Sequence, residues 1–196
     1  MEELDSHRIV EQSDLFKKFD WSSIIKQDDV DQAIGVIESI INSGNYWTNS
    51  PKYQTKENLF ARQEPCWLKF RMSFITSVFL AIGREAQVSN MQAWSFMTRK
   101  EDAEDREKLW HNHWHPKAPD GKMMSGILYL KIPENVENRE LCGTEFAPNG
   151  PESSNRFFVP PSDFHWLVYP SNLYHRPGIP QSSDYRFILA ADIEYK

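Results

Sequence analysis

The chain has 196 residues, of which 40% are hydrophobic and 13% aromatic, which fits one globular domain and excludes a disordered, collagenous or coiled-coil chain. Its formal net charge of -6 is spread along the sequence, so a protein that grips a phosphate backbone is not expected and no nucleic-acid partner is assigned. No apolar run reaches bilayer length, residues 1–13 are too acidic for a signal peptide, and two cysteines, Cys66 and Cys142, fit reduced thiols in a cytoplasmic protein with no membrane partner.

In chain order, the first half reads as helical. Asp28 can cap a helix whose first turn holds Asp29 and Asp31, where negative charge complements the dipole. Val30, Ile34, Ile37 and Ile41 recur at helical spacing, and Gly44 closes the segment. A second helix begins at Pro65, carries the stripe Trp67, Phe70, Phe74 and Val78, and ends at Gly83. Both stripes read as core faces. From about Val88 the pattern changes. Segments 92–98, 126–132, 164–169 and 185–193 read as strands, and ten of the 12 prolines fall after position 115. The expected class is α+β, mainly β, with a sandwich or jelly-roll barrel as the closed form. One domain over 1–196 is expected, with 1–87 as a mostly helical buttress and 88–196 as the core.

Five of the six histidines lie between His111 and His175, three of them in Trp110-His111-Asn112-His113-Trp114-His115-Pro116. On a strand, residues two apart share a face, so His113 and His115 would offer two imidazoles to one point, with His111 a step further along at the rim. His175, after the strand 164–169, is the natural third ligand. A metal site and a chance cluster of histidines both fit this spacing, whereas a closed thiolate zinc site does not, because no Cys-x-x-Cys pair exists. Arg186 opens an otherwise apolar strand, and a buried guanidinium requires an anion. That anion is either a ligand carboxylate held bidentately or a protein acid such as Asp192.

Four segments together resemble the prolyl-hydroxylase-like group of iron(II)/2-oxoglutarate-dependent oxygenases, which includes bacterial and phage members. They are His113-Trp114-His115-Pro116, Ser125-Gly126-Ile127-Leu128-Tyr129-Leu130, Val168-Tyr169-Pro170-Ser171-Asn172-Leu173-Tyr174-His175 with Arg186 beyond it, and the preceding Trp94-Ser95. The likeness spans roughly residues 88–196. It implies a double-stranded β-helix, Fe(II) as the metal and 2-oxoglutarate as cosubstrate, with hydroxylation of a substrate and release of succinate and CO2. It implies that His113 and His175 are iron ligands and that Arg186 and Tyr129 hold the far carboxylate of 2-oxoglutarate. Where the group usually has Asp or Glu, this chain has His115, which makes His113, His115 and His175 the implied ligand set and leaves the site one negative charge short. Asp120, in the turn Pro119-Asp120-Gly121, is the fallback for His115. Trp94, Phe96 and Trp166 are candidates for the barrel wall. The substrate expected is a small molecule or a peptide, and the sequence leaves room for a homodimer. Two other readings stand beside the oxygenase: a jelly-roll metal- or ligand-binding module without oxygenase activity, and a three-histidine cupin dioxygenase that uses no cosubstrate.

Overall fold

The computed structural model describes residues 8–47, 53–101, 109–113 and 122–196. Two short strands, β1 (Ile9–Gln12) and β2 (Lys17–Asp20), precede helix α1 (Gln27–Asn42). Strands β3 (Tyr46–Trp47) and β4 (Gln54–Thr55) lead through a single 3-10 turn to helix α2 (Pro65–Ile82). Seven strands follow: β5 (Val88–Thr98), β6 (Met123–Lys131), β7 (Thr144–Ala147), β8 (Phe157–Val159), β9 (His165–Pro170), β10 (Tyr174–Pro177) and β11 (Arg186–Tyr195).

The helix signals act as their chemistry dictates, with one shift. The cap of α1 is made by Asp29, not Asp28. The Asp29 carboxylate accepts the Lys26 backbone N–H at 2.9 Å and an Nζ–H of Lys69 at 2.7 Å, which ties the two helices together. In α2, Pro65 sits in the first turn and Gly83 closes the helix in the left-handed region at φ 73°. By length and composition α2 could cross a bilayer, the one such helix among the described residues. In this fold its Trp67, Phe70, Phe74 and Val78 are fully buried against the sheet.

The strands form an eight-stranded antiparallel sheet in the order β1-β2-β9-β6-β11-β5-β4-β3 and a three-stranded sheet in the order β10-β7-β8. The first 87 residues therefore supply both edges of the large sheet as well as the helices: β2 pairs with β9 and β4 pairs with β5. Alternation along the central strands builds two cores. Leu128, Leu130, Trp166, Val168, Phe187, Leu189, Ala191 and Ile193 face α1 and α2. Their neighbours Ile127, Tyr129, Leu167, Tyr169, Ile188 and Ala190 face Phe146 and Val159 of the smaller sheet. The result is a jelly roll with the helices packed on the outside of one wall. Gly126 marks a close helix–sheet contact, since a Cβ there would lie 2.5 Å from the Phe74 ring.

Candidate metal centre

The interior face carries the chemistry. His175 lies on β10 and is 3% exposed. His111 is joined to it as an antiparallel bridge: the His111 N–H donates to the His175 carbonyl at 3.1 Å, and the His175 N–H donates back at 2.9 Å. His113 is anchored by its N–H to the Ser171 carbonyl at 2.8 Å. The ring centroids of His111 and His175 are 4.3 Å apart, and those of His113 and His175 are 5.0 Å apart. One ligand nitrogen from each of the three rings lies within 4.8 Å of the others. His111 is thus a member of the cluster and does not stand at the rim. His115 and Asp120 lie outside the described residues.

The second nitrogen of each ring is occupied in the same way. Nδ1 of His111 lies 2.7 Å from the Leu109 carbonyl, Nδ1 of His175 lies 3.0 Å from the Leu173 carbonyl, and Nδ1 of His113 lies 2.6 Å from Asp192 Oδ1. Each oxygen is an acceptor, so each Nδ1 carries a proton and Nε2 is the nitrogen left for a metal. Burial, reinforced by His111 and His113, holds the pKa of His175 well below its ordinary value. Burial and then His113 lower that of His111 as well. Both rings are neutral at pH 7, the form that ligates a metal. Tyr169 places its hydroxyl 3.1 Å from His175 Nε2.

Beside the histidines is a narrow cavity of about 20 Å³, lined among others by Phe96, Tyr129, Thr144, Ile188 and Arg186. Arg186 is 1% exposed at the start of β11, and one Nη1 donates to the carbonyls of Cys142 and Gly143. Gly143 is required there because a Cβ would meet the Val159 carbonyl at 2.0 Å. Tyr129 and Thr144 share a hydrogen bond of 2.7 Å, and burial pushes the Tyr129 pKa up to about 12. Asp192, the acid weighed as a structural partner for Arg186, is engaged by His113 and by the Ser125 hydroxyl at 2.6 Å. It lies six residues along the same strand, roughly 20 Å away at the usual rise. On the far side of His113 and Trp94 opens a groove of about 630 Å³, lined by Trp47, Gln54, Lys56, Gln92 and Glu194 among others. Trp94 and Phe96 line these two spaces, whereas Trp166 packs on Phe74 in the helix-side core.

Of the residues singled out from the sequence, His113, His175, Arg186 and Tyr129 line one cavity, and the structure adds Asp192 and Ser125 beside His113 and Tyr169 beside His175. Asp192 shares parity with Arg186 on β11, so a buried acid on the same face as the arginine was its available signal. Ser125 and Tyr169 carry no such mark.

No family model matches the chain, and no curated protein matches its sequence. Among solved structures, the chain is similar to a Pseudomonas putida prolyl-4-hydroxylase at 11% identity and a TM-score of 0.60, covering 92% of each chain. It is similar to the non-heme alpha-ketoglutarate-dependent carbocyclase SnoK from nogalamycin biosynthesis at 8% identity and a TM-score of 0.64, covering 91% of this chain and 79% of that one. It is also similar to a prolyl hydroxylase from Trichoplax adhaerens, solved with a hypoxia-inducible-factor peptide, at 13% identity and a TM-score of 0.58, covering 96% and 88%. The chain therefore has the double-stranded β-helix fold of these 2-oxoglutarate-dependent oxygenases and prolyl hydroxylases.

Proposed function

We propose that this protein is an Fe(II)- and 2-oxoglutarate-dependent dioxygenase that hydroxylates a small-molecule or peptide substrate and releases succinate and CO2. The observation that carries this reading is the set of three Nδ1-anchored imidazoles, whose lone pairs converge beside a buried arginine inside a jelly roll. The donor set fits Fe(II): three imidazoles beside a cavity lined by Arg186 and Tyr129 would hold the metal next to the cosubstrate. When bound, the metal would supply oxygen activation coupled to oxidative decarboxylation of 2-oxoglutarate.

The chain's own residues orient and exclude. Among the described residues, His111, His113 and His175 would hold the metal. His115 and Asp120 are the competing choices for the third position. Substitution separates them: loss of metal affinity in H111A with retention in H115A and D120A supports the cluster as described. Arg186 and Tyr129 would hold the far carboxylate of the cosubstrate, the guanidinium by charge and the phenol by a neutral hydrogen bond, since its high pKa keeps it protonated. The cavity has room for a water but not for a five-carbon diacid, so cosubstrate entry requires its wall side chains to move. The groove beyond Trp94 supports substrate approach from the His113 side. The buried free thiols Cys66 and Cys142 support a reducing, cytoplasmic setting.

A three-histidine dioxygenase without cosubstrate matches the ligand set, but it has no use for a buried Arg186 beside the metal. The deciding experiment is succinate formation from 2-oxoglutarate by the Fe(II)-loaded protein. R186K keeps the charge and loses the two-pronged grip, so the 2-oxoglutarate concentration for half-maximal turnover should rise about 10- to 100-fold with the fold intact. An unchanged value overturns the cosubstrate role of Arg186.

A further inference from the structure

Resting on the metal reading above, we infer that Asp192 is a positioning residue that supplies, through His113, the negative charge a three-imidazole set lacks. Asp192 is 4% exposed on the interior face of β11. Its Oδ1 lies 2.6 Å from His113 Nδ1 and 2.6 Å from the Ser125 hydroxyl. Ser125 is itself within 2.8 Å of the Ser171 hydroxyl, and the Ser171 carbonyl accepts the His113 backbone N–H at 2.8 Å. Two serines thus bracket the carboxylate and the ring it faces. Among the described residues, His113 is the one basic side chain paired with Asp192.

A carboxylate buried between a hydroxyl and an imidazole is best matched where a counter-charge lies close by. A divalent cation on His113 Nε2 provides it. The carboxylate in turn fixes the tautomer and ring orientation and makes the ligand nitrogen more basic, as outer carboxylates do for metal-bound histidines generally. The usual ligand carboxylate of a facial triad is in this way displaced one imidazole outward. The charge reaches the metal through a hydrogen bond, and a coordination position stays with nitrogen.

The test is Co(II) binding to the intact protein without 2-oxoglutarate, read from the visible cobalt bands. D192N keeps the shape and an oxygen acceptor for the Nδ1 proton but removes the charge. Its Co(II) affinity should fall about 10- to 100-fold, while the melting temperature of the metal-free protein stays at or above the wild-type value. In an H113A background the same substitution should change the remaining affinity less than twofold, because its path to the metal is gone. S125A, which leaves the charge in place, should cost about two- to fivefold. Equal affinity of D192N and wild type overturns the inference, as does a full D192N effect without His113. Should D192N fail to fold, S125A decides: unchanged affinity with shifted melting counts against the inference. Failure of the wild-type protein to bind Co(II) at all is a different result, and it removes the metal reading itself.

Discussion

The two faces of the large sheet are built from the same strands and do opposite work. On β11, Phe187, Leu189, Ala191 and Ile193 meet the helices, while Arg186, Ile188, Ala190 and Asp192 point into the barrel. The helix-side layer is mainly apolar and dominated by large aromatics such as Phe74, Trp67 and Trp166, with buried serines such as Ser73 and Ser77 accepting indole N–H groups. The interior face spends its buried area on a guanidinium, a carboxylate, two tyrosines and the histidines packed against it. One wall therefore stabilises the fold, and the other carries buried polar groups whose desolvation costs stability unless each is matched. A one-residue register slip would exchange the two roles, which is why the regular pairing of β11 with both β5 and β6 from Ile188 to Glu194 matters for function as well as for stability.

Substitutions should separate the walls. The largest effect is expected on the helix side: F74A removes a fully buried ring packed on Trp166 at 4.9 Å. It should lower unfolding free energy by about 3–5 kcal/mol in urea denaturation, with Co(II) affinity of the folded protein unchanged. A matching loss of metal affinity would show that the two walls are not independent.

A pH series should report the interior wall. His175 and His111 are neutral in the folded protein with lowered pKa values, while in the unfolded chain they titrate near 6.5. Above about pH 6.5 neither state is charged and their contribution is complete. As pH falls below that, the unfolded chain takes up protons that the folded chain refuses. Stability of the metal-free protein should drop by up to about 1.4 kcal/mol per pH unit per histidine until the lowered folded values are reached. H111A and H175A should each flatten that slope in parallel urea titrations.

The smallest effect is expected at Tyr169. Its hydroxyl donates to the same His175 Nε2 lone pair that a metal would take. Y169F should bind Co(II) about two- to tenfold more tightly, the size of one lost competing hydrogen bond, as measured by competition with a chelator. Weaker binding would mean that the hydroxyl supports the metal-bound state.

How much of this was legible in the sequence follows the same division. The two helices and the four longest strands were marked by local period and by Pro65, Gly44 and Gly83, with boundaries close to those observed. The edge strands β1 to β4 were not, because they are two to four residues long and owe their pairing to β9 and β5, far away in sequence. Strands β7, β8 and β10 are similarly short. His113, His175 and Arg186 came from residue type and spacing, since they stand out against their surroundings, whereas Tyr129 came from the family resemblance alone. The depth of His111 was not legible, since it arises from the bridge to His175 across the fold. Nor was the pairing of Asp192 with His113, which joins residues 79 apart in sequence.

The central claim is that three histidines and Arg186 form one site for a metal and 2-oxoglutarate, and mixing the protein with Fe(II) and 2-oxoglutarate without oxygen tests it most directly. The account predicts a weak visible charge-transfer band in the wild-type protein, lost in H175A and requiring much more 2-oxoglutarate in R186K. Bound Fe(II) with no such band at saturating 2-oxoglutarate would contradict it.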